Sequence, residues 1–320
     1  MAAPEPTQKL KTTSSVHDAG KPLPPFGSRF LTDEGQVWEH NAWDHVPPPD
    51  DQAERVAASL AKQRSAPVPE EEKEKYNGRP SKHWDNFYKI NADNFFKDRK
   101  WCHTSSYRIG SASRVRYAGP KRIVEVGCGA GNAIFPLLSA NKNPDLDLRA
   151  YDYSHHAVKV VQHSELYLNP PLGSIHAQPW DLTSDNLPDD IEEGSVDLLT
   201  LIFVLSALHP DEWCKAMRNI QGMLKPGGLA LFRDYGRYDL AQLRFKSGRM
   251  LDENFYIRGD KTRVYFFELV HPNLLAPLPG CPPQPMFDVE QLGVDRRLIV
   301  NRKRKLKMYR VWMQGKFRKL

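Results

Sequence analysis

Cysteine is scarce and scattered. The 320 residues hold four, Cys102, Cys128, Cys214 and Cys281, with no C-x-x-C pair and no histidine ladder near any of them. That spacing argues against a zinc site and against a disulfide framework, and it predicts a reduced, intracellular setting. No run approaches the roughly 18 apolar residues of a membrane-spanning helix. The first 25 residues have neither a signal-peptide core nor an arginine-rich, acid-poor presequence, so a soluble chain with no membrane partner is expected. Acidic residues are missing from one place in particular: Arg296 to Leu320 carries eleven Lys or Arg and no Asp or Glu, although the whole chain has a net charge of only +6. A polyanion is the expected partner of that end.

What is present falls into three parts. Residues 1–25 are rich in Pro, Ser, Thr and Lys with little to bury, which predicts a disordered tail. Residues 26–115 form a cap. Its first stretch ends at Pro47, Pro48 and Pro49, a charged helix is expected from Asp51 to Gln63, and "SAPVPEEEKEKY" links to another helix. Trp84, Phe87, Tyr88, Phe95, Phe96 and Trp101 then recur at helix-like intervals. Residues 116–320 form the main domain, with 268–290 as an irregular proline-rich insertion. Between Lys121 and Tyr235 strands alternate with helices, the pattern of a parallel α/β sheet. Predicted strands are "RIVEVG", "LDLRAYDYS", "SIHAQPWDL", "VDLLTLIFVLS" and "GLALFRDYG"; predicted helices are "NAIFPLLSAN", "HHAVKVVQHSEL" and "DEWCKAMRNIQGML", the last stopped by "KPGG".

"RIVEVGCGAGN" runs an apolar strand into a glycine turn. Gly127, Gly129 and Gly131 depart from the dinucleotide spacing G-x-G-x-x-G, with Asn132 where the third glycine would fall, which weighs against NAD. Asp152 ends the second strand, where a carboxylate accepts from ribose hydroxyls. Asp181 ends the third, where an acceptor suits an adenine amino group. No phosphate-binding group follows, and Glu125 adds a carboxylate suited to a cationic tail. Alone, Gly127 and Gly129 are as much a turn as a site, and an isolated Asp181 is more readily a helix cap. Together they indicate an adenosine bearing a sulfonium and an amino-acid tail: S-adenosylmethionine.

The segments "EVGCGAGN", "YDYS", "DLT", "LIFVLSALHP" and "LKPGG", and above all "LFRDYGRYDLAQLRF" with "ENFYIRGDKTRVYFF", resemble the tRNA N3-methylcytidine methyltransferases of the methyltransferase-like family. The resemblance covers about Phe26 to Phe267 and resumes at "LGVDRRLIVNRKRKLKMYRVWMQGKFRK". It implies a Rossmann-like seven-stranded methyltransferase sheet with an N-terminal helical cap that binds RNA, and methylation of cytidine 32 in the anticodon loop of a subset of tRNAs. It also implies cofactor contacts from Trp84 and Tyr88, beside Gly127, Asp152, Asp181 and Leu201. Relatives work with helpers such as an aminoacyl-tRNA synthetase. The chain departs from the family at "ELVHPNLLAPLPGCPPQPMFDVEQ", where prolines replace an expected helix and put the completeness of the sheet in question.

Cytosine N3 has an in-plane lone pair and no proton at neutral pH, so its methylation needs alignment and water exclusion rather than a general base. The base must also be unpaired and stacked. Candidates around it are Asp234 as acceptor from the cytosine amino group, Phe203 and Tyr235 as stackers, and Arg233 on a phosphate. Phe203 is more readily core than stacker, and Arg233 with Asp234 as readily a loop brace. His209 in "HPDEW" reads equally as a helix start. Arg302, Lys303, Arg304 and Lys305, in a turn between two late antiparallel strands, suit RNA phosphates. The rival reading of that cluster is a nuclear-localisation signal, which makes the nucleus the alternative to the cytoplasm. "FKDRKW" and "RFKSGR" are further basic patches. An RNA-binding scaffold without catalysis and a protein or small-molecule methyltransferase remain as alternatives.

Overall fold

The computed structural model describes residues 17–18, 29–99, 119–268, 281 and 284–320. Two short strands come first, β1 (His17–Asp18) and β2 (Ala42–Asp44). Three cap helices follow, α1 (Gln52–Arg64), α2 (Glu70–Asn77) and α3 (Pro80–Asn91). Glu70, Glu71 and Glu72 lie in the first turn of α2, where carboxylates complement the helix dipole. Pro80 opens α3 at a position that needs no amide donor, and Ala92, at φ 46°, ends it. Phe95 and Phe96 therefore lie beyond the helix that their spacing suggested, and Trp101 is outside the described residues.

The main domain alternates as its hydrophobic pattern requires. It runs β3 (Lys121–Val126), α4 (Ile134–Ser139), β4 (Leu146–Asp152), α5 (His155–Gln162), α6 (Glu165–Leu168) and β5 (Ser174–Pro179). It continues through β6 (Val196–Ile202), α7 (Trp213–Met223) and β7 (Leu224–Tyr235). The predicted single helix "HHAVKVVQHSEL" is divided between α5 and α6, and α5 is capped by the Ser154 hydroxyl, which accepts from Ala157 N at 3.1 Å. "KPGG" does not separate α7 from the next strand: it forms a bulge inside β7, where Gly227 has φ 75° and the pairing with β6 shifts register between Val196 and Leu198.

After a short helix α8 (Leu240–Leu243) come three small strands, β8 (Met250–Asp252), β9 (Phe255–Ile257) and β10 (Arg263–Tyr265), which form a separate antiparallel sheet. Two long strands close the fold, β11 (Phe287–Asn301) and β12 (Leu306–Lys319). The central order is β5-β4-β3-β6-β7-β12-β11, with β1 and β2 both on β11. β3 to β7 are parallel, and β12 runs antiparallel between β7 and β11. The seven-stranded sheet is complete despite the proline-rich stretch, because β11 begins only after the last proline. The chain reverses sheet direction at β3, so a crevice opens at the carboxyl ends of β3 and β6.

Two further expectations change. His17–Asp18, assigned to a disordered tail, pairs with Leu292 and Gln291; a sheet edge offers unpaired backbone groups to any segment, whatever its side chains. Cys214 and Cys281 are disulfide-bonded, their Cα atoms 5.3 Å apart. Their sequence separation of 67 residues hid the pairing from any reading of spacing. The "ENFYIRGDKTRVYFF" segment supplies two strands of the small sheet. That sheet buries Leu251, Phe255 and Ile257 against Val68 of the cap, while Gln63 of α1 donates to Gln242 O at 2.9 Å and accepts from Tyr256 Oη at 2.9 Å. Cap and small sheet thus stand together over the carboxyl edge of the main sheet.

Candidate active site

The turn after β3 is held open by glycine. Gly127 and Gly129 have φ of 65° and 55°, and a Cβ on Gly127 would lie 2.4 Å from Val204 Cγ2. Above the turn stands α3. Trp84 and Tyr88, one turn apart, have ring centroids 6.0 Å apart and face the same crevice, which they line together with Gly127, Asp152 and Asp181.

Each acid beside the turn is placed by its strand. Asp152 ends β4 and accepts from Gly129 N and Ser154 N, both at 2.9 Å. Burial raises its pKa to about 6 against the pull of those two amides. Glu125 lies inside β3 at 3% exposure, and one of its carboxylate oxygens, Oε2, is buried without a hydrogen-bond partner. Burial lifts its pKa to about 8, with Arg99 pulling in the other direction. A buried carboxylate with an orphaned oxygen requires a cation or a proton. A nucleoside whose ribose meets Asp152 and whose ammonium meets Glu125 fits both. Asp181 holds Thr183 in a tight turn through one oxygen, Oδ1, at 2.8 Å, and it lines the same lobe.

A second lobe adjoins the first across Trp84, Tyr88, Gly127, Phe203 and Ala207. Its walls include Glu125, Arg99, Tyr235, Arg258, Asp260 and Thr262. Phe203 follows β6 in the left-handed region at φ 60°, a strained conformation for a side-chain-bearing residue. Its amide is held by Arg233 O at 2.7 Å, and its ring lies 4.7 Å from that of Tyr235. The guanidinium of Arg99 stands 5.2 Å from the Phe203 ring and that of Arg258 5.4 Å from the Tyr235 ring. Two aromatic faces and two cations therefore converge at the mouth.

Three sequence candidates are not brought to the cavity. Arg233 is 5% exposed and points into the sheet, donating to Asp295 Oδ2 at 2.6 Å and Gln314 Oε1 at 2.5 Å, so it cannot hold an RNA phosphate. Asp234 is fully buried and accepts from Ser206 N and Tyr235 N, both at 2.9 Å. It shapes the turn after β6 instead of reaching a base. Leu201 turns its side chain into the core, and the strand alternation gives the cavity Ile202 instead. His209 proves to be a helix start: Nδ1 accepts from Asp211 N, while Glu212 takes the His209 amide.

Four residues of the second lobe carry no local signal that points to it: Arg99 belongs to the basic patch "FKDRKW", and Arg258, Asp260 and Thr262 to the segment that carries the family resemblance. Arg302 to Lys305 occupy the exposed turn between β11 and β12. Trp312 pairs with Tyr235 and β12 runs antiparallel to β7, so this hairpin extends past the cavity end of the sheet by roughly 20 Å. Lys305 Nζ rests 4.7 Å from the Trp38 ring of the cap.

The sheet order, the glycine turn and the two buried acids define an S-adenosylmethionine-dependent methyltransferase, and residues 124–230 match the family model described as a methyltransferase domain. A tRNA N(3)-methylcytidine methyltransferase of Schizosaccharomyces pombe is 45% identical over 99% of both chains. A Drosophila melanogaster protein of the same description is 44% identical over 98% of this chain and 94% of its own. The Saccharomyces cerevisiae tRNA(Thr) (cytosine(32)-N(3))-methyltransferase is 48% identical over 93% of this chain, which spans 46% of that longer relative. The chain belongs to the tRNA N(3)-methylcytidine methyltransferase family.

Proposed function

We infer that the protein methylates N3 of cytidine 32 in the anticodon loop of a subset of tRNAs, with S-adenosylmethionine as donor. The observation that carries this reading is the pair of adjoining lobes: one bounded by Asp152 and Asp181, the other by Glu125 and an aromatic pair with two arginines. When bound, S-adenosylmethionine supplies an electrophilic methyl group on sulfur.

The chain's own residues supply position and charge. Asp152, its oxygens already oriented by two backbone amides, accepts from ribose hydroxyls. Glu125 ionises against the ammonium of the amino-acid tail, which removes the cost of its buried, orphaned oxygen. Phe203 and Tyr235 offer π faces to an unstacked cytosine, a contact worth about 1–3 kcal/mol per base. With Asp234 committed to the turn after β6, the acceptor for the cytosine amino group falls to Asp260. Its Oδ1 is fixed by Thr262 N at 2.9 Å and Thr262 Oγ1 at 2.7 Å. Arg258, on the same turn, is placed to donate to the cytosine carbonyl. No residue need remove a proton, because N3 attacks through a free lone pair. The exposed turn Arg302 to Lys305 serves phosphates of the incoming RNA.

Purified protein, unmodified tRNA and methyl-labelled donor test the reading. Label in 3-methylcytidine, lost when cytidine 32 is replaced by uridine, is expected; label in protein or in a small molecule would transfer the assignment to another methyltransferase class. Asp152→Ala should abolish cofactor binding while tRNA affinity persists.

A further inference from the structure

The mechanism makes no use of the disulfide, and the residues beside it touch two walls of the cavity. Cys214 lies in the first turn of α7, buried, next to Trp213. Trp213 Nε1 donates to Leu205 O at 3.0 Å, which braces the 205–208 turn; Ser206 and Ala207 of that turn line the second lobe. The Trp213 ring also packs on Phe267, at 5.2 Å between centroids, and on Tyr265 at 4.7 Å. Phe267 N in turn donates to Tyr235 O at 2.9 Å, and Arg237 N to Phe267 O at 2.8 Å. From Trp213 one contact thus reaches the turn after β6, and a second reaches the backbone of the aromatic Tyr235.

Cys281, half-buried against the same core cluster, lies in the proline-rich stretch. We propose that Cys214 and Cys281 are a reversible dithiol–disulfide pair whose oxidation clamps Trp213 and stiffens the cavity walls at 205–208 and 235–237. Half-buried Cys281 is the accessible sulfur and Cys214 the resolving one. A Cys281 thiolate attacks a low-molecular-weight disulfide and expels one thiol. The Cys214 thiolate then attacks the Cys281 sulfur of the mixed disulfide and expels the second. Two protein thiols are oxidised, one external disulfide is reduced to two thiols, and the two protons end on the expelled thiols. Intracellular disulfides that form this way are characteristically transient or redox-sensing.

The test titrates the full chain with glutathione disulfide against glutathione, traps free thiols by alkylation and maps the peptides. Backbone hydrogen exchange and the melting temperature are then read on each form. Expected are a 214–281 cross-link that dithiothreitol reverses, a rise in melting temperature of about 4–8 °C on oxidation, and at least fivefold slower exchange at 205–208 and 235–237. Cys281→Ser, whose half-buried site tolerates a hydroxyl, should melt like the reduced wild type and should not respond to glutathione disulfide. Free thiols at both positions in fully oxidising buffer, or a cross-link that leaves exchange at both walls unchanged, would overturn the proposal. None of these readouts depends on which substrate the cavity takes.

Discussion

The hydroxyl of Tyr88 lies directly over Gly129: a methyl group added at that glycine would sit 2.4 Å from the phenol oxygen and 3.3 Å from the ring carbon that bears it. Cap and glycine turn therefore meet at a contact that admits no side chain, and the cap forms one wall of the cofactor lobe.

Gly129→Ala should weaken S-adenosylmethionine binding roughly tenfold or more, because it combines a left-handed backbone, unfavourable by about 1–2 kcal/mol, with displacement of Tyr88. Removing the phenol oxygen leaves the nearest atom at 3.3 Å. In a Tyr88→Phe background the same substitution should consequently be less damaging. Calorimetric affinities for the wild type, the two single variants and the double variant close the cycle; purely additive losses would separate the two residues.

Cofactor affinity should rise with pH. Asp152, with a pKa of about 6, and Glu125, with one of about 8, must both be ionised to serve a ribose and an ammonium. Affinity is therefore expected to climb from pH 6 to a plateau above about 8, and Glu125→Gln should remove the upper part of the climb. The free protein should show the opposite trend in stability. A carboxyl whose folded pKa is raised keeps a proton that the unfolded chain has lost, so the stability it contributes below its ordinary pKa declines as pH rises through the folded value. Thermal melts with and without cofactor across this range check both signs, since the gap between them should widen with pH.

Arg233 is a stability residue. Its partner Asp295 is fully buried, and the guanidinium stacks 4.7 Å from the Trp312 ring. Arg233→Ala leaves the buried carboxylate only its longer contact with Arg297 Nε, at 3.3 Å, and should destabilise the protein by about 2–4 kcal/mol, seen as a lower denaturant midpoint. tRNA affinity per folded molecule should be unchanged; a specific loss of RNA binding in a variant of normal stability would restore the phosphate role.

Replacing Arg302, Lys303, Arg304 and Lys305 with serine should weaken tRNA binding and reduce the slope of log affinity against log salt by about 3. Cofactor affinity should not move. Filter binding at several salt concentrations measures it, and an unaltered slope would place the RNA elsewhere.

Much of the sheet was legible because parallel strands buried on both faces leave long apolar runs, and because Gly127, Asp152 and Asp181 punctuate their ends. Glu125 was legible as an acid in an apolar strand, a position that burial makes expensive. What failed was direction. "FRDYG" gave Arg233 and Asp234 as site residues by their place at a strand end, but their side chains are claimed by Asp295 and by the turn at Ser206, partners 62 and 28 residues away in sequence. Arg99, Arg258 and Asp260 reach the cavity from the cap and the small sheet, whose placement depends on packing of Val68 and Gln63 that no local pattern announces. The Cys214–Cys281 pairing was invisible for the same reason.

The most direct measurement is mass spectrometry of nucleosides from unmodified tRNA incubated with the purified chain and methyl-labelled S-adenosylmethionine. Labelled 3-methylcytidine mapping to position 32, and absent with Asp152→Ala, is the predicted result. Label in any other nucleoside, or none from a folded protein that binds the donor, would contradict it.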